Sequence, residues 1–216
     1  MVKLVIFDWD GTLFDSIDKI CQSMLHAGEL SNAPKREKDD IKNIIGLSLD
    51  KAVSTVWPEL SNEAQEEIIE HYKKLYVARD QVPPEAYANV ITTLDSLKSK
   101  GIIMAVATGK TRRGLERVLD LTDTRNYFQS SRCADETLSK PDPLMLNELL
   151  SELAISPEDV VMVGDTEYDL NMAHNAGIRS VGVTYGAHES YRLEACRPYA
   201  LINNFDELID VLELKE

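Results

Sequence analysis

Two aspartates separated by one residue, Asp8 and Asp10, end an apolar run, Leu4-Val5-Ile6-Phe7. Like charges this close raise each other's pKa unless something compensates them. Other apolar runs end in Thr108-Gly109 and in Asp165, with Asp169 one helical turn further on. Lys140-Pro141 follows a short loop after residues 127–134. In open α/β sheets, ligands bind at the carboxyl ends of the strands. Carboxylates, a hydroxyl beside a glycine amide and one lysine at such ends suit a divalent cation and a phosphate. Mg²⁺ takes hard oxygen ligands. Thr108 and the amides around Gly109 can donate to phosphate oxygens, and Lys140 is a compact cation for the charge that develops in phosphoryl transfer.

These residues need a parallel sheet to bring them together, and the chain reads as one. From about residue 84 onward, the segments 101–108, 127–134, 159–165 and 179–183 are short, and all but 127–134 are rich in β-branched residues, as strands are. Helical patterns separate them, with Gly101 and Gly177 at expected C-caps. That alternation predicts a doubly wound α/β sheet with helices on both faces. The first strand, residues 3–8, joins it. Residues 16–83 hold only helix-like patterns, so the economical reading is a helical insertion after strand 1, closed by Pro83-Pro84. The expected division is a catalytic core of residues 1–15 and 84–216 and a helical cap of residues 16–83. Asp15 falls at the entrance to that insertion, and the mixed charge run at 34–40 reads as solvated surface.

Bulk properties exclude several classes. A formal charge of −14 over 216 residues disfavours nucleic acid and anionic membranes, which require a basic footprint. No stretch approaches the roughly 20 apolar residues of a membrane span. Cys21, Cys133 and Cys196 have no C-x-x-C spacing and read as small buried hydrophobes in a reducing compartment. A cytoplasmic protein, a monomer or weak dimer, is expected. His26, His71, His174 and His188 show no ligand spacing. The "GKT" at 109–111 is not a P-loop, because Met104 stands where the upstream glycine is required. "DWDG" lacks the third acidic position of a calcium loop.

Each candidate has a structural explanation when taken alone. A strand-terminal Asp forms turns, Thr108 can cap a helix, a lone Lys140 is ordinary surface, and Asp165 and Asp169 can be a cap and a first-turn acid. The order of the motifs is what favours chemistry. "DWDGTLFDS", "VATGK", "SKPDP" and "GDTEYD" together resemble the four motifs of the haloacid dehalogenase-like (HAD) hydrolase superfamily. The helical insertion is similar to that of its phosphoglycolate phosphatase-like branch, and the resemblance spans essentially the whole chain.

The resemblance implies a Rossmann-like core with a small all-helical cap, and a Mg²⁺-dependent phosphatase acting on a small phosphorylated metabolite, phosphoglycolate-like or a sugar phosphate. It implies Asp8 as nucleophile and Asp10 as acid and base. It further implies metal ligation by the Asp8 carboxylate, the Asp10 carbonyl and Asp165, with Asp169 behind them. Thr108, Gly109 and Lys140 would meet the phosphate, and Gly46-Leu47 resembles the family's specificity loop. Lys110, Arg112, Arg113 and Arg79 are the basic residues available to a substrate anion. A phosphomutase or a phosphonate-cleaving enzyme would share the chemistry at Asp8. A dehalogenase would leave Asp10 superfluous. A phospho-aspartate signalling switch, the rival from another class, places its aspartate at a later strand end and lacks an insertion after strand 1.

Overall fold

The computed structural model describes residues 2–78 and 83–213. The chain opens with β1 (Leu4–Phe7) and a two-residue strand, β2 (Phe14–Asp15). Four helices follow: α1 (Ile17–Leu30), α2 (Lys38–Lys42), α3 (Leu49–Val56) and α4 (Asn62–Ala78). The chain returns through β3 (Glu85–Ala86), which pairs antiparallel with β2, so this short ladder ties the exit from the sheet to the re-entry. Strand and helix then alternate: α5 (Val90–Ser99), β4 (Ile103–Thr108), α6 (Arg112–Leu121), β5 (Ser130–Cys133), α7 (Leu144–Leu153), β6 (Val160–Gly164) and α8 (Glu167–Asn175). The series closes with β7 (Arg179–Val183), α9 (Ser190–Ala195), β8 (Ala200–Ile202) and α10 (Glu207–Val211).

The main sheet has six strands in the order β5-β4-β1-β6-β7-β8, and every pairing is parallel. β1 lies between β4 and β6, with Phe7 opposite Val106 and Val163. This register aligns the carboxyl ends from which Asp8, Thr108 and Asp165 continue. Because side chains alternate along a strand, Val5, Phe7, Val106 and Val163 form one core with α5, α6 and α10. Leu4, Ile6, Ala107 and Met162 form a second core with α7 and α8 on the opposite face. Burial on both faces is why these strands read as continuous apolar runs rather than alternating ones.

The four-helix segment has a third core, built on Ile20, Met24, Ile41, Val53 and Trp57. Trp57 is held by an Nε1–H bond to the Pro34 carbonyl (2.8 Å). Gly101 and Gly177 do terminate α5 and α8, both with positive φ. The sequence reading had no β2, β3 or β8; each is two or three residues long, too short for a periodicity to register. It also offered Thr108 as a possible helix cap, but the N-cap of α6 is Thr111, whose side chain accepts from the Gly114 amide. Cys196 is only half-buried, unlike Cys21 and Cys133. No helix among the described residues is long and apolar enough to cross a membrane.

Ile6 is fully buried at the centre of the sheet. Ile6→Ala should lower the unfolding free energy by about 2–5 kcal/mol. Leu121→Ala, at the end of α6 and 36% exposed, should cost less than about 0.5 kcal/mol. Urea unfolding of both variants checks the contrast, and equal losses would contradict the two-faced core.

Candidate active site

At the carboxyl edge of the sheet, β1 and β6 deliver Asp8 and Asp165 as neighbours, and the first turn of α8 adds Asp169. One oxygen from each lies within 4.8 Å of the others, and all three residues are buried. Lys140, also buried, points its ammonium between two of them: Nζ is 2.8 Å from Asp8 Oδ1 and 2.7 Å from Asp169 Oδ1. The contact to Asp169 is a hydrogen bond. The contact to Asp8 is a charge contact without hydrogen-bond alignment, so neither Asp8 oxygen has a hydrogen-bond partner.

The other two carboxylates are held by the protein. Asp165 Oδ1 accepts from Thr12 Oγ1 and Oδ2 from the Ala187 amide, both at 2.7 Å. Asp169 Oδ2 accepts from the Thr166 amide (3.1 Å) and hydroxyl (2.7 Å), within the capping box that starts α8. Gly11 makes room for Asp165: its φ is +80°, and a Cβ there would stand 2.2 Å from Asp165 Oδ2. Here a side chain is barred by both conformation and space.

The electrostatics follow from burial. Burial pushes the Asp8 carboxyl up to about 7 despite the opposing pull of Lys140, with Asp169 and Asp10 adding to the rise. Burial, then Asp169 and Asp8, lift Asp165 well above the ordinary carboxylate range. Burial works against the Lys140 ammonium, but Asp169 and Asp8 outweigh it and hold the group above its ordinary value. A divalent cation fits this donor set. The ligand atoms are all carboxylate oxygens, Asp8 has unused lone pairs, and the acids outnumber the nearby ammonium.

Asp10 lies apart from the three-carboxylate group. Its Oδ1 is 2.8 Å from Lys110 Nζ and accepts from Ser16 Oγ. Lys110 also donates to the Tyr76 hydroxyl of α4 (3.1 Å). Thr108 Oγ1 accepts from the Lys110 amide (3.2 Å), which leaves its own proton to donate. Gly109 touches the helical segment directly: a Cβ there would meet the Leu47 and Gly46 carbonyl oxygens at 2.6 and 2.7 Å. The structure therefore brings Gly46 and Gly109 together. Ser48 N–H donates to Ser139 Oγ (3.0 Å), beside Lys140, and Tyr168 OH donates to the Asn43 carbonyl (2.9 Å).

Of the basic residues offered for a substrate anion, Arg112 points elsewhere, committed to Glu136, Glu116 and Ser131. Lys110 is engaged with Asp10. Arg113 lines the cavity in front of Asp8 and Asp10, and Arg79 lies outside the described residues. Sequence reasoning missed Ser16, Lys110 as the partner of Asp10, and the Ala187 amide. Ser16 lies within the first motif and was open to notice; Ala187 has no signal, because a backbone amide carries none.

A parallel α/β sheet with buried carboxylates and a lysine at its carboxyl edge, facing a helical segment inserted after strand 1, defines an enzyme of the HAD type. The chain belongs to the haloacid dehalogenase-like hydrolase family, whose model matches residues 5–183. It is 33% identical to the probable phosphatase IndB of Dickeya dadantii, over 97% of this chain and 93% of that protein. It is 29% identical to the phosphoglycolate phosphatase of Vibrio cholerae, over 98% and 97%. A hydrolase from Pseudomonas syringae shares the fold, with a TM-score of 0.89 at 21% identity and full coverage of both chains.

The Gly109 contact is backbone against backbone, so Gly109→Ala cannot be relieved by rotating a side chain. The variant should part the helical segment from the sheet edge and speed amide exchange at Ser48 about fivefold or more, as expected for overpacking that costs about 1–3 kcal/mol. Amides of β1 and β6 should be unchanged. Hydrogen-exchange mass spectrometry reads both, and unaltered exchange at Ser48 would show that Gly109 does not hold the contact.

Proposed function

We propose that the chain is a Mg²⁺-dependent phosphatase that hydrolyses a small phosphorylated metabolite through an aspartyl phosphate on Asp8. The observation that carries this reading is Asp8 itself: buried at the floor of a cavity, beside an ammonium, with no hydrogen bond on either oxygen. Such a carboxylate keeps its lone pairs for attack. Its curated relatives are named phosphatases, which supports the reaction class.

In this reading an Asp8 oxygen attacks phosphorus in line as the bond to the leaving oxygen breaks. That oxygen takes the departing electron pair and a proton from Asp10. In the second half, Asp10 takes a proton from water, whose oxygen attacks phosphorus and frees Asp8 and orthophosphate. Lys110 and Ser16 occupy Asp10 Oδ1, so Oδ2 is the oxygen that carries the proton. The Thr108 hydroxyl and the Gly109 amide donate to the phosphoryl oxygens, and Lys140 offsets their growing charge. Asp8, Asp165 and the Asp10 carbonyl would hold Mg²⁺, which when bound polarises the phosphoryl oxygens and screens the acids from one another. Asp169, which accepts from Lys140 at Oδ1, positions that ammonium. Residues 16–83 act as the cap, and Gly46 brings cap backbone to the mouth of the site.

Removing divalent ions with EDTA should abolish phosphate release, and Mg²⁺ should restore it. Full activity in excess chelator would overturn the ligand assignment. The two aspartates separate in a second experiment. After brief exposure to an aryl phosphate, which needs little leaving-group protonation, Asp10→Asn should carry a hydroxylamine-labile phosphoryl mass. Asp8→Asn should carry none. A phosphoryl mass on Asp8→Asn, seen by intact-mass spectrometry, would rule out Asp8 as nucleophile.

A further inference from the structure

Of the four histidines only His188 is buried, at 2% exposed, and no step of the proposed reaction uses it. Its partners fix its form. Nδ1 lies 3.1 Å from the Glu167 amide, and an amide nitrogen only donates, so Nδ1 accepts. The ring proton therefore sits on Nε2, which donates to the Asn43 carbonyl at 3.2 Å. Both partners are groups that a helix end leaves open. Glu167 is the first residue of α8, and Asn43 is the C-cap of α2. One imidazole thus joins the helix that carries Asp169 to the helical segment.

The backbone beside this ring runs over Asp165. The Ala187 amide donates to Asp165 Oδ2 (2.7 Å), and the His188 amide to the Asp165 carbonyl (3.3 Å). Gly186 is packed directly against the same residue: a Cβ there would stand 2.1 Å from the Asp165 Cβ. Residues 184–189, between β7 and α9, belong to no helix or strand, so side-chain anchors set where the Ala187 amide points. Tyr185 OH holds one end, donating to the Thr12 carbonyl (2.8 Å), and the His188 ring holds the other. On the far side of that ring, the Asn43 carbonyl also accepts from Tyr168 OH. The Asn43 side-chain oxygen accepts from Arg192, which pairs with Glu167.

We propose that His188 is a positioning residue with two duties. Through Nδ1 it holds residues 186–188 in place, so that the Ala187 amide fixes Asp165 for the metal. Through Nε2 it fastens the segment after α2 to the core. The inference rests on the reading of Asp165 as a Mg²⁺ ligand and goes beyond it. The two duties are separable by substitution, because Nδ1 is bonded to Cγ, as the side-chain oxygen of asparagine is, whereas Nε2 lies one bond further out. His188→Asn therefore keeps an acceptor for the Glu167 amide but falls short of the Asn43 carbonyl. His188→Leu fills the buried space with neither nitrogen.

Calorimetric titration with MgCl₂ and hydrogen-exchange mass spectrometry of the metal-free protein read the two duties separately. His188→Leu should bind Mg²⁺ about tenfold more weakly or worse, the lower end of the cost of losing a partner behind a metal ligand, and His188→Asn should return to within about threefold of wild type. Amides 44–47 should exchange about fivefold faster in both variants, as for the loss of one buried hydrogen bond, with β4 unchanged. Wild-type affinity in His188→Leu, no recovery in His188→Asn, or unaltered exchange at 44–47 would each overturn the proposal. Should His188→Leu fail to fold, His188→Asn still decides it, since weak Mg²⁺ binding or wild-type exchange in that variant contradicts the assigned duties. If wild type itself binds no Mg²⁺, the metal reading of Asp165 fails, and exchange at 44–47 still decides whether His188 holds the helical segment.

Discussion

One buried ammonium shared by an excess of buried carboxylates is the constraint around which this molecule is arranged. Three acids, Asp8, Asp165 and Asp169, meet at the sheet edge, and Lys140 neutralises one charge of the three. Charges taken out of water are tolerated when paired and hydrogen-bonded. The protein meets that demand selectively. Asp165 and Asp169 have a donor on each oxygen, from Thr12 and Ala187 in one case and from Lys140 and Thr166 in the other, whereas Asp8 has only the charge of Lys140. The provision is uneven: two acids are fixed in place by hydrogen bonds and the third has none.

The supporting structure serves that arrangement. The register of β1 between β4 and β6 sets the spacing of the strand ends. Gly11 lets the first turn approach Asp165 closely, and the capping box of α8 pins Asp169 while it satisfies the helix terminus. A single set of hydrogen bonds thus completes a helix and orients an acid, which is economical because helix N-terminal amides need partners in any case.

The helical segment is not a separate appendage in this conformation. It meets the core through Gly46-Leu47 against Gly109, Ser48 to Ser139 and Tyr76 to Lys110. The last contact joins it to Asp10, since Lys110 bonds both. Cap position and the environment of Asp10 are therefore coupled through one side chain.

Much of this was legible in the sequence, and the reason is local. Strand runs such as 160–164, the aspartates that end them, and the helical spacing between residues 17 and 78 depend on periodicity and on neighbours a few residues apart. The four motifs in order were enough to indicate the family, and they contain Asp8, Lys140, Asp165 and Asp169, which the fold brings together. The two- and three-residue strands β2, β3 and β8 were not legible, because pairing with a distant partner, and not their own pattern, makes them strands. Nor was the true cap of α6, since Thr108 and Thr111 are both plausible N-caps until the backbone path is known. Only the tertiary structure decided that Lys110 belongs to Asp10 and Arg112 to Glu136, although the two bases stand two residues apart in the chain. It alone gave the Ala187 amide to Asp165. These depend on which surfaces the fold brings within about 3 Å of each other, the reach of a hydrogen bond, and such proximity between residues far apart in sequence is a property of packing.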